Sequence, residues 1–322
     1  MNNVTLTRMK GAGTSIKHEG KMHSNFKKMK RHWQLYVLAI PTIIYFIIFK
    51  YIPMTNAVIA FKDYNVVQGI WGSAWIGWHH FEMFFNNPQF WTLVKNTFIL
   101  SVYALLVSFP IPIILALCLN EVRTGFFKKF VQLITYAPYF ISTVIIVSMI
   151  MMFFSPRLGI ATQFLELLGF NAQNILGSPS AFRHIYVWSD IWQTAGYSAI
   201  IYLAALAGVS PELYEAAKVD GASRLQRIFH IDIPSIMPIA IIILILGVGN
   251  IMAVGFEKVY LLQNSLNLQT SEIIATYVYK IGLLNANFSF ATAVGLFNSV
   301  INLILLVAVN TISRRVSNNS LW

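Results

Sequence analysis

The sequence predicts an all-α integral membrane protein with six transmembrane helices and both termini in the cytoplasm. Composition, the length of the apolar runs and the placement of cations carry that expectation. Of 322 residues, 57% are hydrophobic and only 11% charged, and the mean hydropathy is +0.62. An average soluble domain is roughly 25% charged and 45–50% apolar. A soluble enzyme, a disordered chain and a coiled coil are therefore excluded. Apolar runs long enough to cross a bilayer fall at 34–53, 97–119, 131–154, 184–206, 236–254 and 291–312. A hydrocarbon core offers no water to bare backbone, so each run is expected to be helical.

Taken in order, residues 1–33 form a basic cytoplasmic tail, of which 1–30, polar and poor in periodicity, are expected to be mobile. The first run reads as a retained anchor rather than a cleaved signal, because no small-residue cleavage site follows Tyr51-Ile52-Pro53. The loop after it crowds Trp71, Trp75, Trp78, Phe81, Phe84, Phe85, Phe90 and Trp91. Rings of this kind favour the headgroup level, so an interfacial segment on the outer leaflet is expected. A sugar-stacking or partner-docking surface is the alternative. Asp190, Gln193 and Thr194 interrupt the fourth run.

Orientation follows from Lys and Arg, which number 23 against 12 Asp and Glu, for a net charge of +11. Sixteen fall in the tail, the second and fourth connections and the C-terminus, and seven on the opposite side. The richer side is cytoplasmic. The surplus is thus a topology signal, and nucleic acid is not an expected partner because the tail lacks interleaved aromatics. The single cysteine, Cys118, permits no internal disulfide and reads as a packing residue.

Catalytic signatures are missing. Gly13 to Gly20-Lys21-Met22 has the wrong spacing for a phosphate-cradling loop and no hydroxyl after the lysine. His18 and His23 are five apart and diverge on a helix, and His79-His80 are adjacent. No G-x-S-x-G elbow occurs. The chain is expected to be non-catalytic, with no metal and no cofactor of its own.

The most informative segment is the fourth connection, 207–235. Ser210 is a suitable N-cap, Pro211 a favoured first helical residue, and Glu212 complements the positive helix end. Leu213, Ala216 and Ala217 are expected on one face, with Tyr214 at its margin. Asp220-Gly221 is expected to break the helix, since glycine tolerates the left-handed conformation. A second amphipathic helix at about 222–230 sets Leu225, Ile228 and Phe229 opposite Arg224 and Arg227, and Pro234 is expected to stop it. Two short helices along the inner membrane face, joined by a glycine turn, are the result. An ordinary amphipathic loop resting on headgroups fits the periodicity equally.

Residue pattern then adds a resemblance. Glu215-Ala216-Ala217, three residues, Gly221, nine residues and Ile231-x-Ile233-Pro234 resemble the EAA loop of binding-protein-dependent ABC importer permeases. Leucine is usual in that family where Ile233 stands. Tyr51 to Asn56, Ala60 to Tyr64, Asn96-Thr97 and Ala137 to Ser142 resemble its sugar-importer branch, nearest the oligosaccharide and polysaccharide permeases related to the maltose permease. The resemblance implies a type I ABC importer permease fold in a bacterial cytoplasmic (inner) membrane, with residues 34–322 as the six-span domain. It implies a second homologous permease, two ATPase subunits that bind the ATP and Mg, an extracytoplasmic solute-binding protein and a carbohydrate substrate. The ATPase-coupling set would be Glu215, Ala216, Ala217, Asp220, Gly221 and Pro234.

Polar groups inside spans are expensive and invite functional assignment. Asp190, Gln193 and Tyr197 are spaced for one side of the fourth span, Asn250 follows two glycines in the fifth, and Asn298 and Asn302 are four apart in the sixth. In maltose-type permeases the corresponding spans line the sugar cavity, so these six are substrate-path candidates. Interhelical hydrogen bonding is the competing role. Two competing functions are the same architecture importing a non-sugar solute and a membrane enzyme acting on lipid-linked sugars.

Overall fold

A computed structural model describes residues 31–123, 125–169, 174–253, 255–317 and 320. Of the basic tail expected at 1–33, residues 1–30 lie outside the described residues. The chain divides into two units, 1–57 and 58–322. In the first, α1 (Trp33–Phe46) passes through a wide π-turn, Ile47–Tyr51, into Ile52–Thr55, with none of these residues buried. A helix apolar on every side suits a lipid surround.

In the second unit, α2 (His79–Phe85) precedes α3 (Phe90–Ser108), which continues across Phe109 into α4 (Pro110–Glu121). Then come α5 (Phe126–Tyr136), α6 (Thr143–Phe153) and the long α7 (Pro179–Ala207). The short helices α8 (Pro211–Val219) and α9 (Arg224–Arg227) lead into α10 (Ile233–Gly249). After α11 (Phe256–Leu262) and α12 (Ile274–Tyr279), the described helices end with α13 (Phe288–Ser317). A two-residue antiparallel ladder, β1 (Lys62–Asp63) on β2 (Ala74–Trp75), pins the first long loop.

Four stretches are individually long and apolar enough to span: Trp33–Phe61, Phe90–Glu121, Arg224–Gly249 and Phe288–Arg315. The count reaches six when each of two bent pairs is taken as one span. The run at 131–154 is not one straight helix. Its two arms, Phe126–Phe140 and Thr143–Phe153, meet at 100°. Pro138 lies in the last turn of the first arm, Ile141 and Ser142 at the break are extended, and the Ser142 hydroxyl accepts from Ile145 N to start α6 anew. Despite its polar residues, α7 is continuous over 29 residues, and it bends by 72° into α8.

The fifth run also differs from expectation. Pro234 does not stop the preceding helix, because α9 enters α10 through a π-turn, Ile228–Asp232. The widened turn accommodates a residue without an N–H, and Ser235 Oγ donates to Ile231 O at 2.6 Å. The helix ends at Gly249, short of 254.

Core packing in the bundle falls into separate clusters. Near one end, Leu100, Ile146, Tyr186, Val187, Val259 and Ile273 form a buried cluster. Near the other, Ala116, Leu117, Tyr202, Leu206, Ile236 and Ala240 close the bundle beside α8. Small residues permit close approach: a Cβ at Gly196 would run into the carbonyl group of Thr135, so α7 lies directly on α5. The aromatic loop is not wholly interfacial. Phe81, Phe84 and Phe90 are buried, with Phe84 packed edge-on against Phe90, Phe290 and Phe297, while Trp71, Trp75, Trp78, Phe85 and Trp91 stay exposed. The helix α2 turns one face of the loop into the bundle. Asn96-Thr97 anchor the segment before α12: Asn96 Nδ2 donates to Gln269 O and Glu272 O, and Thr97 Oγ1 accepts from Ile274 N.

Candidate functional site: a polar cavity and a cytoplasmic elbow

A cavity of about 250 Å³ opens within the bundle. Leu105 of α3, Pro112 of α4, and Ile243 and Gly247 of α10 supply an apolar wall, with the hydroxyl of Ser108 beside it. From α7 come Asp190, Thr194 and Ser198, one turn apart each, so a stripe of carboxylate and hydroxyls faces the space. Thr194 Oγ1 donates to Asp190 O at 2.8 Å, which satisfies that hydroxyl's proton within the helix and leaves its lone pairs available.

Asp190 does not stand alone. Lys258 Nζ on α11 lies 3.3 Å from Asp190 Oδ1 and donates to Gln193 Oε1 at 3.2 Å. The lysine side chain is 4% exposed and the aspartate 36%. The ammonium is therefore sealed behind its two partners, and the aspartate presents the pair to the cavity. Buried charge is tolerated only when paired, and this arrangement makes the wall electrically neutral overall.

The six path candidates occupy different places. Asp190 reaches the cavity. Gln193 joins Lys258 and also donates from Nε2 to Ile141 O, binding α7 to the break before α6. Tyr197 stacks on Tyr139, with centroids 3.8 Å apart and planes at 4°. Asn250 caps its own helix by donating to Leu246 O. Asn298 donates to Met252 O and Asn302 accepts from Met252 N, so both clamp the chain just beyond the end of α10. Asp190 thus meets Gln193 through Lys258, and the three asparagines gather around 246–252 instead. Thr194, Ser198 and Lys258 were missed as site residues. The i, i+4, i+8 spacing from Asp190 marks the first two, whereas nothing local marks a lysine 68 residues away.

At the end of α7 the chain makes an elbow. Ser210 holds the N-cap position, but its side chain makes no capping bond. Glu212 occupies the first turn and Lys218 the last, matching the helix dipole. Gly221 closes the helix at φ +72°, with Gly221 N donating to Lys218 O and Ala222 N to Ala217 O. Ser223 and Gln226 then cap α9 reciprocally.

The faces of the elbow depart from the helical-wheel expectation. Tyr214 and Ala217 turn inward, whereas Leu213, Glu215, Ala216 and Asp220 are exposed. On the second arm Arg227 turns inward to Glu121, and Leu225 and Phe229 are exposed. Continuity of α9 with α10 explains the difference, because the arm follows the fifth helix rather than lying flat. Pro234 sits two residues past the π-turn and marks where the elbow becomes a span.

Residues 108–318 match the family described as binding-protein-dependent transport system inner membrane component. The polygalacturonan/rhamnogalacturonan transport system permease protein YteP of Bacillus subtilis (strain 168) is 43% identical over 295 residues, 92% of each chain. A solved bacterial ABC transporter involved in the import of the acidic polysaccharide alginate has a chain that is 41% identical, with a TM-score of 0.84 over 91% of this chain and 99% of that one. The same holds, over 92% of this chain, for the alginate transporter in complex with an alginate pentasaccharide-bound periplasmic protein. Helices of spanning length, a bent and glycine-closed elbow, and likeness over nine-tenths of the length agree, and the chain belongs to the inner membrane components of binding-protein-dependent transport systems.

Proposed function

We propose that this chain is the permease subunit of an ATP-driven importer for acidic oligosaccharides or polysaccharides. It passes solute from an external binding protein across the bacterial cytoplasmic membrane by alternating access. The observation that carries import by a separate motor is the elbow: α8 has no buried residue and stands at the end of α7 through a 72° bend. Such a helix presents Glu215, Ala216 and Asp220 to a partner groove, and the sequence holds no phosphate loop of its own. One ATPase subunit grips it, with ATP and Mg bound there, and a homologous permease with a second ATPase subunit completes the transporter.

An acidic carbohydrate follows from the relatives, which carry polygalacturonan, rhamnogalacturonan and alginate. The cavity is compatible: its one wall carboxylate, Asp190, is offset by Lys258, so a uronate does not meet an unbalanced negative charge. ATP binding closes the motor pair, the elbow moves with its groove, and the helices around the cavity exchange access. Work is transferred because ATP and solute have different affinities for the two states.

The test is uptake by proteoliposomes that contain this chain, its partner permease, the ATPase and the binding protein. Labelled uronate oligosaccharides should accumulate with ATP, and neutral malto-oligosaccharides should not. Preferential uptake of the neutral sugars, or of a polyol phosphate, would overturn the substrate class.

A further inference from the structure

Side-chain bonds fasten the elbow to the end of the bundle around Tyr214. Tyr214 Oη donates to Asp232 Oδ1 at 2.5 Å and lies within hydrogen-bonding reach of Asn120. Asp232 is fully buried, and its other oxygen, Oδ2, accepts no hydrogen bond. Beside it, Arg227 Nη2 lies 3.6 Å from Glu121 Oε2, with the two side chains 14% and 23% exposed. Asn120, Glu121, Tyr214, Arg224 and Arg227 line a cavity of about 400 Å³ at this end of the bundle. Four elements meet here: the end of α4, the helix α8, the arm α9 and the π-turn that starts the fifth span.

Stability does not account for Asp232. A buried carboxylate with one hydrogen bond and one bare oxygen is costly, and an apolar pair of similar volume is often neutral or better. Packing also accounts for little of the position of α8, since only Tyr214 and Ala217 are half-buried and none of its residues is fully buried. A short, directional bond supplies what packing leaves out. Burial first, and then the bond to Asp232, push the Tyr214 hydroxyl up to about 12, so it remains a donor at any physiological pH.

Resting on the reading that α8 is gripped by an ATPase, we propose that Tyr214 and Asp232, braced by Glu121 and Arg227, are positioning residues that make the elbow one rigid body with the near ends of α4 and α10. The far reach of those helices explains the use of such a joint. Pro112 of α4 and Ile243 and Gly247 of α10 wall the cavity that Asp190 faces. A displacement of α8 is thereby delivered to two walls of the solute path, without passing through the turns at Gly208 and Gly221.

The experiment uses the reconstituted complex and three readouts: retention of the ATPase, ATP hydrolysis, and uronate oligosaccharide taken up per ATP. Tyr214→Phe keeps the ring and removes the donor; Asp232→Leu removes the acceptor; Asp232→Asn keeps an acceptor without charge. With the first two, the ATPase should stay bound and continue to hydrolyse, while uptake per ATP falls about tenfold, the scale of one charge-assisted bond. Asp232→Asn should restore most of that loss. Wild-type uptake per ATP in Tyr214→Phe would overturn the joint, as would an Asp232→Asn no better than Asp232→Leu. Detachment of the ATPase from Tyr214→Phe would also overturn it, by making the tyrosine part of the docking surface. Failure of the docking reading is seen separately, in Glu215→Lys: retention of the ATPase there removes that reading and leaves the Tyr214 result standing.

Discussion

Replacement of Gly221 isolates one physical cause. Its φ of +72° lies in the left-handed region, and a Cβ built there would meet nothing within 4 Å. Any loss of turn stability on substitution is therefore conformational and owes nothing to collision of the Cβ within the chain. A side chain in that region costs roughly 1–2 kcal/mol, less for asparagine and more for a β-branched residue. A penalty of that size is a factor of roughly 5–30 in the population of the closed turn. Two backbone bonds report it, Gly221 N to Lys218 O at 3.1 Å and Ala222 N to Ala217 O at 2.8 Å. Hydrogen exchange at the Ala222 amide of the purified complex should show protection falling in the order Gly, Asn, Ala, Val. Binding-protein-stimulated ATP hydrolysis should fall in the same order. Equal protection in Gly221→Val and the wild type would refute the reasoning, as would alanine worse than valine.

The Asp190–Lys258 pair predicts an asymmetry: Asp190→Asn strands an ammonium that is 4% exposed, whereas Lys258→Met leaves a carboxylate that the cavity can hydrate. Thermal unfolding in detergent should show the first variant as the less stable, by on the order of 2–3 kcal/mol after the remaining Gln193 bond is counted. Gly196→Ala drives a methyl into the Thr135 carbonyl and should cost about 3 kcal/mol by the same measurement. Gly295→Ala, which meets nothing within 4 Å, should be neutral or slightly stabilising. Ser198→Phe places a ring in the 250 Å³ cavity and should abolish uptake, with ATPase attachment unchanged in a pull-down.

Features that depend on local chemistry were readable from the sequence, and features that depend on distant pairing were not. The apolar runs follow from residue type alone, and the break at Asp220-Gly221 from the rarity of residues other than glycine at positive φ. The bend at Ile141-Ser142 was hidden because the Pro138 that precedes it lies within an apolar run, and proline is tolerated in spanning helices, where neighbours satisfy the freed carbonyl. Asn298 and Asn302 were correctly placed four apart on one helix, yet their partner is the backbone of Met252, which no side-chain pattern announces. Lys258 read as one more cation on the outer side, because only the fold brings it to Asp190. Phe81, Phe84 and Phe90 match the headgroup belt in composition, and their burial is decided by the path of α2.

The widened turn at Ile228–Asp232 sets a phase. One surplus residue rotates everything beyond it by about 100° around the axis relative to an unbroken ladder. Arg227 and Asp232 owe their shared inward azimuth to that offset, and a wheel drawn through both arms assigns one of them to the wrong side. Excision of a single residue from this stretch would leave every hydrophobic character intact while swinging the elbow a quarter-turn around the fifth helix. Alignment gaps at this position among related chains would thus mark changes in the angle that the elbow makes with the fifth helix.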